Sequence, residues 1–449
     1  KLWLKKKFVV ETNYCVTLDR VAEELYPEIA ANDAQREEWV RLFAIDEIKM
    51  DLAGAVDYTE PLTVGFLKVN PFLVLDTRFF DDEFKDKLLG SFEDVEAQCH
   101  GLLIHSENFQ ALSLIQAQYR KQVKCIYIDP PYNTGNDDFP YKDGYRASSW
   151  FTMIHDRTRL ASQLLSRKGL YFLQIGDDEA ARSRLVMEGI FSERKNSVVA
   201  RRGIKNVQAQ FSDIDRLNLG HDTIHVFGAA VGVRIPHLRQ RLTNSKPGKW
   251  DTFWRGTDRP TMRYELFGQN PETGQWRWEE NRTKQASANY KQYLANEAQN
   301  KELDEWYTEN LQAGVDLDFV RLNEGRVVQY YVPPQGFRLV SDNWLDIPAS
   351  GSETDFAHEK SLALLRRVIQ WNTSSGDWVL DYFSGSGSTS HAALSFGNGK
   401  NRRHIAVEMG DYFDSLLIPR MKRVLYSAEW KNGKPVSRKG VSHMFKYIR

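Results

Sequence analysis

From Gly101 onward the sequence alternates short apolar runs with amphipathic stretches, and that rhythm admits very few folds. Ala111–Arg120 reads as a helix and Val123–Ile128 as a buried strand. Ser148–Ser166 reads as a helix with Trp150, Ile154, Ala161, Leu164 and Leu165 near one face, and Gly169–Ile175 as the next strand. The rhythm stops near Val199 and returns as helix Glu359–Trp371, strand Trp378–Phe383, helix Thr389–Phe396 and strand His404–Glu408. Strands alternating with helices predict an α/β fold, a doubly wound and mostly parallel sheet. The stretch between the two halves is polar and dense in Trp, Tyr, Arg and Lys, so the sheet is expected to carry an inserted module. The expected divisions are an N-terminal region 1–100 with a helix-like stretch at Ala22–Leu42, a first α/β half 101–198, the insertion 199–344, a second α/β half 345–425, and a basic C-terminal segment 426–449.

Composition narrows the class. Of 449 residues 41% are hydrophobic and 27% charged, ordinary values for a chain that buries a sizeable core. No apolar run reaches the roughly 18 residues of a membrane span, and Cys15, Cys99 and Cys125 show no C-x-x-C spacing. The expectation is a cytoplasmic protein with no membrane association, no disulfide framework and no metal site. The chain opens on Lys1 rather than Met, as a fragment of a longer protein would.

The net charge of zero conceals a division. Residues 1–100 hold 21 acidic and 12 basic side chains, whereas Arg420–Arg449 hold nine basic residues against Glu429 alone. Segment 234–267 adds eight basic residues against three acidic ones. A basic stretch is usually just a solvated face, but the asymmetry strengthens the case for nucleic acid, because phosphate contacts need clustered positive charge.

Two motifs carry chemistry. Asp129-Pro130-Pro131-Tyr132 follows a strand directly, and the carboxyl ends of parallel strands face the crevice where open α/β sheets bind ligands. The prolines remove two N–H donors, which leaves carbonyls and a carboxylate as acceptors with an aromatic ring beside them. Such a lip suits a planar ring whose exocyclic amine donates two hydrogen bonds. The second motif, Asp381-Tyr382-Phe383-Ser384-Gly385-Ser386-Gly387-Ser388-Thr389, joins a strand to a helix through glycines that let a ligand approach the backbone. The next strand ends in Glu408, where an acid commonly grips a ribose.

Together with Asn133-Thr134-Gly135, these motifs resemble the amino-methyltransferases of DNA, in the order of the β class: acceptor motif first, cofactor motif last. Within that class Pro260–Leu266, Gly274–Trp278 and Tyr412–Pro435 resemble the modification subunit of type III restriction–modification systems. The resemblance covers residues 100–435 and implies a permuted, Rossmann-like methyltransferase sheet with a target-recognition domain at 199–344. It implies S-adenosylmethionine as cofactor, double-stranded DNA as substrate, a homodimer, and a separate helicase–nuclease restriction subunit. Asp129, Pro130, Pro131 and Tyr132 are then the catalytic turn, with Tyr132 stacked on a base flipped out of the duplex. Asp129, Asp381, Phe383, Gly385, Gly387, Ser388, Glu408, Asn108 and Lys360 become cofactor-site candidates. His358-Glu359-Lys360-Ser361 lacks the proline usual after that lysine, and Asn108 reads equally well as part of a helix cap.

Arg255, Arg259 and Arg263 are the candidates for DNA contact, since they interleave with aromatic residues that fit either a small core or a surface tracking DNA. Asp76 with Glu83 and Lys85 faintly resembles a nuclease cluster, but an acidic surface loop is the preferred reading. The expected activity is methylation of adenine N6. The alternatives are cytosine-N4 methylation, which Asp rather than Ser at position 129 disfavours, and a DNA-binding subunit with a vestigial active site. Methylation of cytosine carbon is disfavoured because no cysteine follows a proline.

Overall fold

Val123–Ile128, an apolar run rich in β-formers, becomes a strand near the middle of one eleven-stranded sheet. The computed structural model describes residues 11–49, 56–133, 144–203, 219–312, 315–349, 359–397 and 399–449; Thr134, Gly135 and His358 lie outside them. In chain order the strands are β1 (Thr12–Thr17), β2 (Val74–Asp76), β3 (Gly101–His105), β4 (Val123–Ile128), β5 (Leu165–Ile175), β6 (Glu193–Arg201), β7 (His221–Gly228), β8 (Asn343–Trp344), β9 (Trp378–Asp381), β10 (Arg403–Glu408) and β11 (Met444–Ile448). They lie side by side as β8-β6-β7-β5-β4-β9-β10-β3-β11-β1-β2. The six strands from β5 to β11 in that order are parallel; β7 and β1 run antiparallel to both neighbours. The expected doubly wound, mostly parallel α/β fold is present.

Both faces are covered, as a parallel sheet requires. Side chains alternate along β3 and β10: Leu103 and Ala406 enter one core with Leu394, Phe413 and Met421. Leu102, Ile104, Ile405 and Val407 enter the other, with Trp150 and Ile154. The helices that matter here are α1 (Asp33–Phe43), α2 (Asn108–Leu114), α3 (Ala147–Ser162), α4 (Asp177–Glu188), α5 (Leu362–Asn372), α6 (Ser388–Leu394) and α7 (Ile418–Tyr426). From β4 the chain passes through α3 to β5 on one side, and from β9 through α6 to β10 on the other. The switch point therefore lies between β4 and β9, and it sets the crevice at their carboxyl ends.

Several boundaries differ from expectation. The helix anticipated over Ala22–Leu42 is broken: α1 starts at Asp33 because the Asn32 side chain accepts the Gln35 N–H and caps it. The helix anticipated to Ser166 ends at Ser162, since Leu165 already pairs with Val123 in the sheet. The anticipated insertion 199–344 takes in part of β6 and all of β7, which continue the main sheet as an antiparallel pair; the separate compact unit is His237–Val340. The N-terminal region and C-terminal segment are likewise not appendages, because β1, β2 and β11 extend the same sheet.

Within itself, unit 237–340 contains a three-stranded sheet of Lys249–Thr252, Val320–Leu322 and Val328–Val332, with helices Glu280–Asn296 and Leu303–Gln312. Its aromatics are mostly core: Phe253 and Trp276 are buried with Val320 and Val328, while Tyr293, Trp306, Phe319 and Tyr331 form a second cluster. Arg321 and Arg282 lie over the rings of Trp250 and Trp278, at 4.1 and 4.3 Å. Trp254 remains 43% exposed. Among the described residues no helix is long and apolar enough to cross a membrane.

Candidate active site at the carboxyl edge of the sheet

The ends of β4, β9, β10 and β3 bring Asp129, Asp381, Glu408 and Ser106 to one edge of the sheet. Pro130 and Pro131 are buried, and the Pro131 carbonyl accepts the indole N–H of Trp150 on α3 at 2.9 Å, which fixes the turn against the core. The Asp129 carboxylate is partly exposed at the rim. Its Oδ1 accepts the Tyr132 hydroxyl at 3.0 Å, and its Oδ2 lies 3.1 Å from Lys360 Nζ. Burial pushes the Asp129 carboxyl above its ordinary value, Lys360 pulls it back, and Asp222 adds to the rise. Lys360 thus stands at the Asp129–Tyr132 turn rather than at the glycine loop.

The glycine loop is built from within. Asp381 accepts the Phe383 N–H at 3.0 Å and the Thr389 hydroxyl at 2.6 Å, so both its oxygens brace the turn. Gly385 and Gly387 adopt φ of 53° and 82°, a region that favours glycine, and Gly387 caps α6. Ser386 and Ser388 accept hydrogen bonds from Arg420 Nη1 at 3.0 and 3.2 Å. Arg420 is buried and paired with Glu359, so it supports the loop from behind.

Beside this loop lies a cavity of about 510 Å³. Three of the cofactor-site candidates line it, Asn108, Phe383 and Glu408, and Pro131 closes the side toward the Asp129–Tyr132 turn. Glu408 Oε1 accepts the N–H groups of Met409 and Gly410, and Oε2 accepts that of Gly385 at 2.8 Å. One lone pair on Oε2 remains for a ligand hydroxyl. Asn108 Nδ2 donates to the Tyr382 carbonyl at 3.2 Å, and its Oδ1 accepts from Arg157, which also pairs with Glu107. Glu107 is the residue that caps α2. Asp381, Gly385, Gly387, Ser388 and Lys360 shape the surroundings without lining the cavity.

Residues that sequence reasoning passed over complete the site. Asp222 on β7 accepts the Tyr132 hydroxyl at 2.9 Å and Gln174 Nε2 at 3.0 Å. Gln174 in turn accepts the buried Tyr127 hydroxyl at 2.7 Å. Arg202 lies 3.7 Å from Asp222 and 5.6 Å from the centre of the Tyr132 ring. The signal was present: Asp222 is in phase with Ile224 and Val226 on an inward-facing strand, where a charge needs a partner.

Other candidates fall elsewhere. Arg255 and Arg259 are exposed in unit 237–340, whereas Arg263 is half-buried, donating to the Gly274 carbonyl at 2.8 Å and pairing with Asp258. Asp76 is buried with Lys422, Glu83 pairs with Lys87, and Lys85 donates to the Thr12 carbonyl, so the three make no nuclease-like cluster. His155 and Asp156 form a half-exposed pair on α3. Among the described residues no group of His, Cys, Asp and Glu could hold a metal ion.

Residues 123–415 match the model of a DNA methylase family, the N6/N4 methyltransferases. The HindVI Mod subunit of Haemophilus influenzae, named as a type III restriction-modification enzyme, is 27% identical over 405 residues, covering 76% of this chain and 52% of that protein. The StyLTI Mod subunit of Salmonella typhimurium, also named type III, is 25% identical over 351 residues, covering 66% and 50%. The chain spans about half the length of these curated relatives. Among solved structures, the PvuII DNA methyltransferase, cytosine-N4-specific, is similar at 10% identity with a TM-score of 0.40, over 73% of this chain and 87% of that one.

Proposed function

Because the chain belongs to the DNA methylase family of N6/N4 methyltransferases, we propose that it methylates adenine N6 in duplex DNA, as the modification and specificity subunit of a type III restriction–modification system. The observation that carries this reading is the position of Asp129, partly exposed on a proline-fixed turn and two residues before Pro131, which lines the cavity beside the glycine loop.

The residues around the cavity fit S-adenosylmethionine. Glu408 Oε2 keeps an acceptor for a ribose hydroxyl, Phe383 offers an apolar wall, and the buried Asn108 is held by Arg157 in the cavity lining. The cofactor supplies a methyl group on a positively charged sulfur. The chain's own contribution is to prepare the nucleophile. An exocyclic amine is a poor nucleophile because its lone pair is delocalised into the base. With Asp129 accepting one N–H and the Pro130 carbonyl the other, the nitrogen moves toward tetrahedral geometry and the lone pair becomes available. Positioning and fixed charge then supply most of the acceleration, with no covalent enzyme intermediate. Asp129 serves as acceptor in its ionised form, so turnover falls as pH drops through its raised value.

Unit 237–340 is assigned to target recognition, with the exposed Arg255 and Arg259 on phosphates and Arg263 as a brace. A homodimer and a separate helicase–nuclease partner complete the proposed assembly. Asp rather than Ser at position 129 favours adenine. Methyl-labelled cofactor, unmethylated genomic DNA and chromatography of the digested nucleosides test this. Label in N6-methyldeoxyadenosine is expected; label in N4-methyldeoxycytidine, or none, overturns it.

A further inference from the structure

The Tyr132 hydroxyl has one proton and two carboxylates within reach. Asp129 Oδ1 lies 3.0 Å away and Asp222 Oδ2 2.9 Å, and the hydroxyl donates to one at a time. Lys360 Nζ stands among the same three groups: 3.1 Å from Asp129 Oδ2, 3.1 Å from the Tyr132 hydroxyl oxygen and 3.8 Å from Asp222 Oδ2. Each oxygen of Asp129 therefore faces a donor belonging to the protein itself, at the position where an incoming amine must be accepted. Asp222 can take both donors. Gln174 fixes its Oδ2 from a neighbouring strand, and its buried Oδ1 makes no hydrogen bond among the described residues. With Arg202 3.7 Å from Asp222, the cluster holds two carboxylates and two cations, so moving Lys360 between the carboxylates leaves its net charge unchanged.

We propose that Asp222 is a positioning residue that draws the Tyr132 hydroxyl and the Lys360 ammonium off Asp129 as the target amine arrives, freeing the Asp129 carboxylate for the base. The inference rests on the methyl-transfer reading of the site. In the free protein Lys360 stands in for the amine and keeps the Asp129 carboxylate paired; in the complex Asp222 takes over as its counter-ion. Tyr132 is the hinge of the exchange, since its hydroxyl turns from one carboxylate to the other while the ring stays beside Gly176, whose added Cβ would lie 2.9 Å from Tyr132 Cδ2.

The test is a double-mutant cycle on the full chain with labelled S-adenosylmethionine and unmethylated genomic DNA, at about pH 8.5, well above the ordinary carboxylate range. Asp222→Asn should lower kcat by about tenfold or more while leaving the dissociation constants for DNA and cofactor within about twofold. Adding Lys360→Met to that variant should recover part of the lost kcat, because no ammonium is left to hold Asp129. A residue that merely stabilises the fold predicts the opposite, a double variant slower than either single one. Wild-type kcat in Asp222→Asn, or a double variant slower than Asp222→Asn, overturns the proposal. If Asp222→Asn does not fold, Lys360→Met decides alone: a lowered KM for DNA is required, and an unchanged or raised KM overturns it. A wild-type chain that methylates DNA upholds the methyl-transfer reading whichever way the variants fall; one that transfers no methyl group removes both.

Discussion

A carboxyl group shut away from water is pushed toward its protonated form, and Asp381 is such a group. Burial raises it from 3.8 to about 7, against the pull of the Thr389 hydroxyl and the Phe383 N–H, while Asp129 and Glu408 add to the rise. Between those two values the native state binds the proton that the unfolded chain has released, so this residue's contribution to stability is lost as pH rises toward and through 7. Asp381→Asn keeps an acceptor for Phe383 and a polar partner for Thr389 without the charge. Its Tm relative to wild type is expected to be higher at pH 8 than at pH 5; a difference independent of pH would contradict the assignment. Asp129 and Glu408 were legible in the sequence because each follows an apolar strand within a motif. Asp222 and Gln174 were not, since a lone polar residue inside a strand signals burial without naming the partner that satisfies it.

At the scale of elements, strand cores were legible and their ends less so. Val123–Ile128 matches its predicted bounds because apolar composition and sheet burial coincide there. The helix predicted over Ala22–Leu42 failed where a single capping side chain, Asn32, outweighed periodicity. Strand β7 was missed because antiparallel pairing with β5 and β6 breaks the α/β rhythm without leaving the sheet. Three variants probe single elements. Gly387→Ala puts a Cβ 3.3 Å from Leu417 Cγ in a left-handed conformation at the start of α6, and should cost about 1–3 kcal/mol in urea unfolding. Within unit 237–340, Arg255→Ala with Arg259→Ala should flatten the salt dependence of DNA binding by up to about one unit per lost phosphate contact, with little change in stability. Arg263→Ala should instead destabilise the unit by about 1 kcal/mol, since it removes the hydrogen bond to the Gly274 carbonyl. A salt slope unmoved by the first pair would take them off the DNA.

Across the whole molecule, part of the charge division between the two termini resolves in internal ion pairs. Lys422 is fully buried between Glu38 and Asp76, both at 2.6 Å, and the Tyr447 hydroxyl also reaches Asp76 at 2.9 Å. Lys446 pairs with Glu96 and Lys434 with Glu47. Three of the nine basic residues of the C-terminal run therefore complement the acidic N-terminal region rather than facing a phosphate backbone. Lys422→Met leaves Glu38 and Asp76 to Arg78, which pairs with both, and removes the buried cation between them; it should cost about 3 kcal/mol, whereas removing the exposed Lys434 should cost at most about 1 kcal/mol. Sequence reasoning saw the imbalance but could not pair residues nearly four hundred positions apart. The proposed modification subunit leaves cleavage of unmethylated DNA to a separate subunit, and cleavage by this chain alone with magnesium and ATP would contradict that proposal. The central claim is that Asp129 accepts the target amine while DNA is held elsewhere, and Asp129→Ala tests it most directly. A methyl-transfer assay paired with a duplex-binding titration should show transfer abolished and affinity retained or slightly raised, since removing a carboxylate relieves repulsion of phosphate. Near-normal turnover in Asp129→Ala would contradict the account.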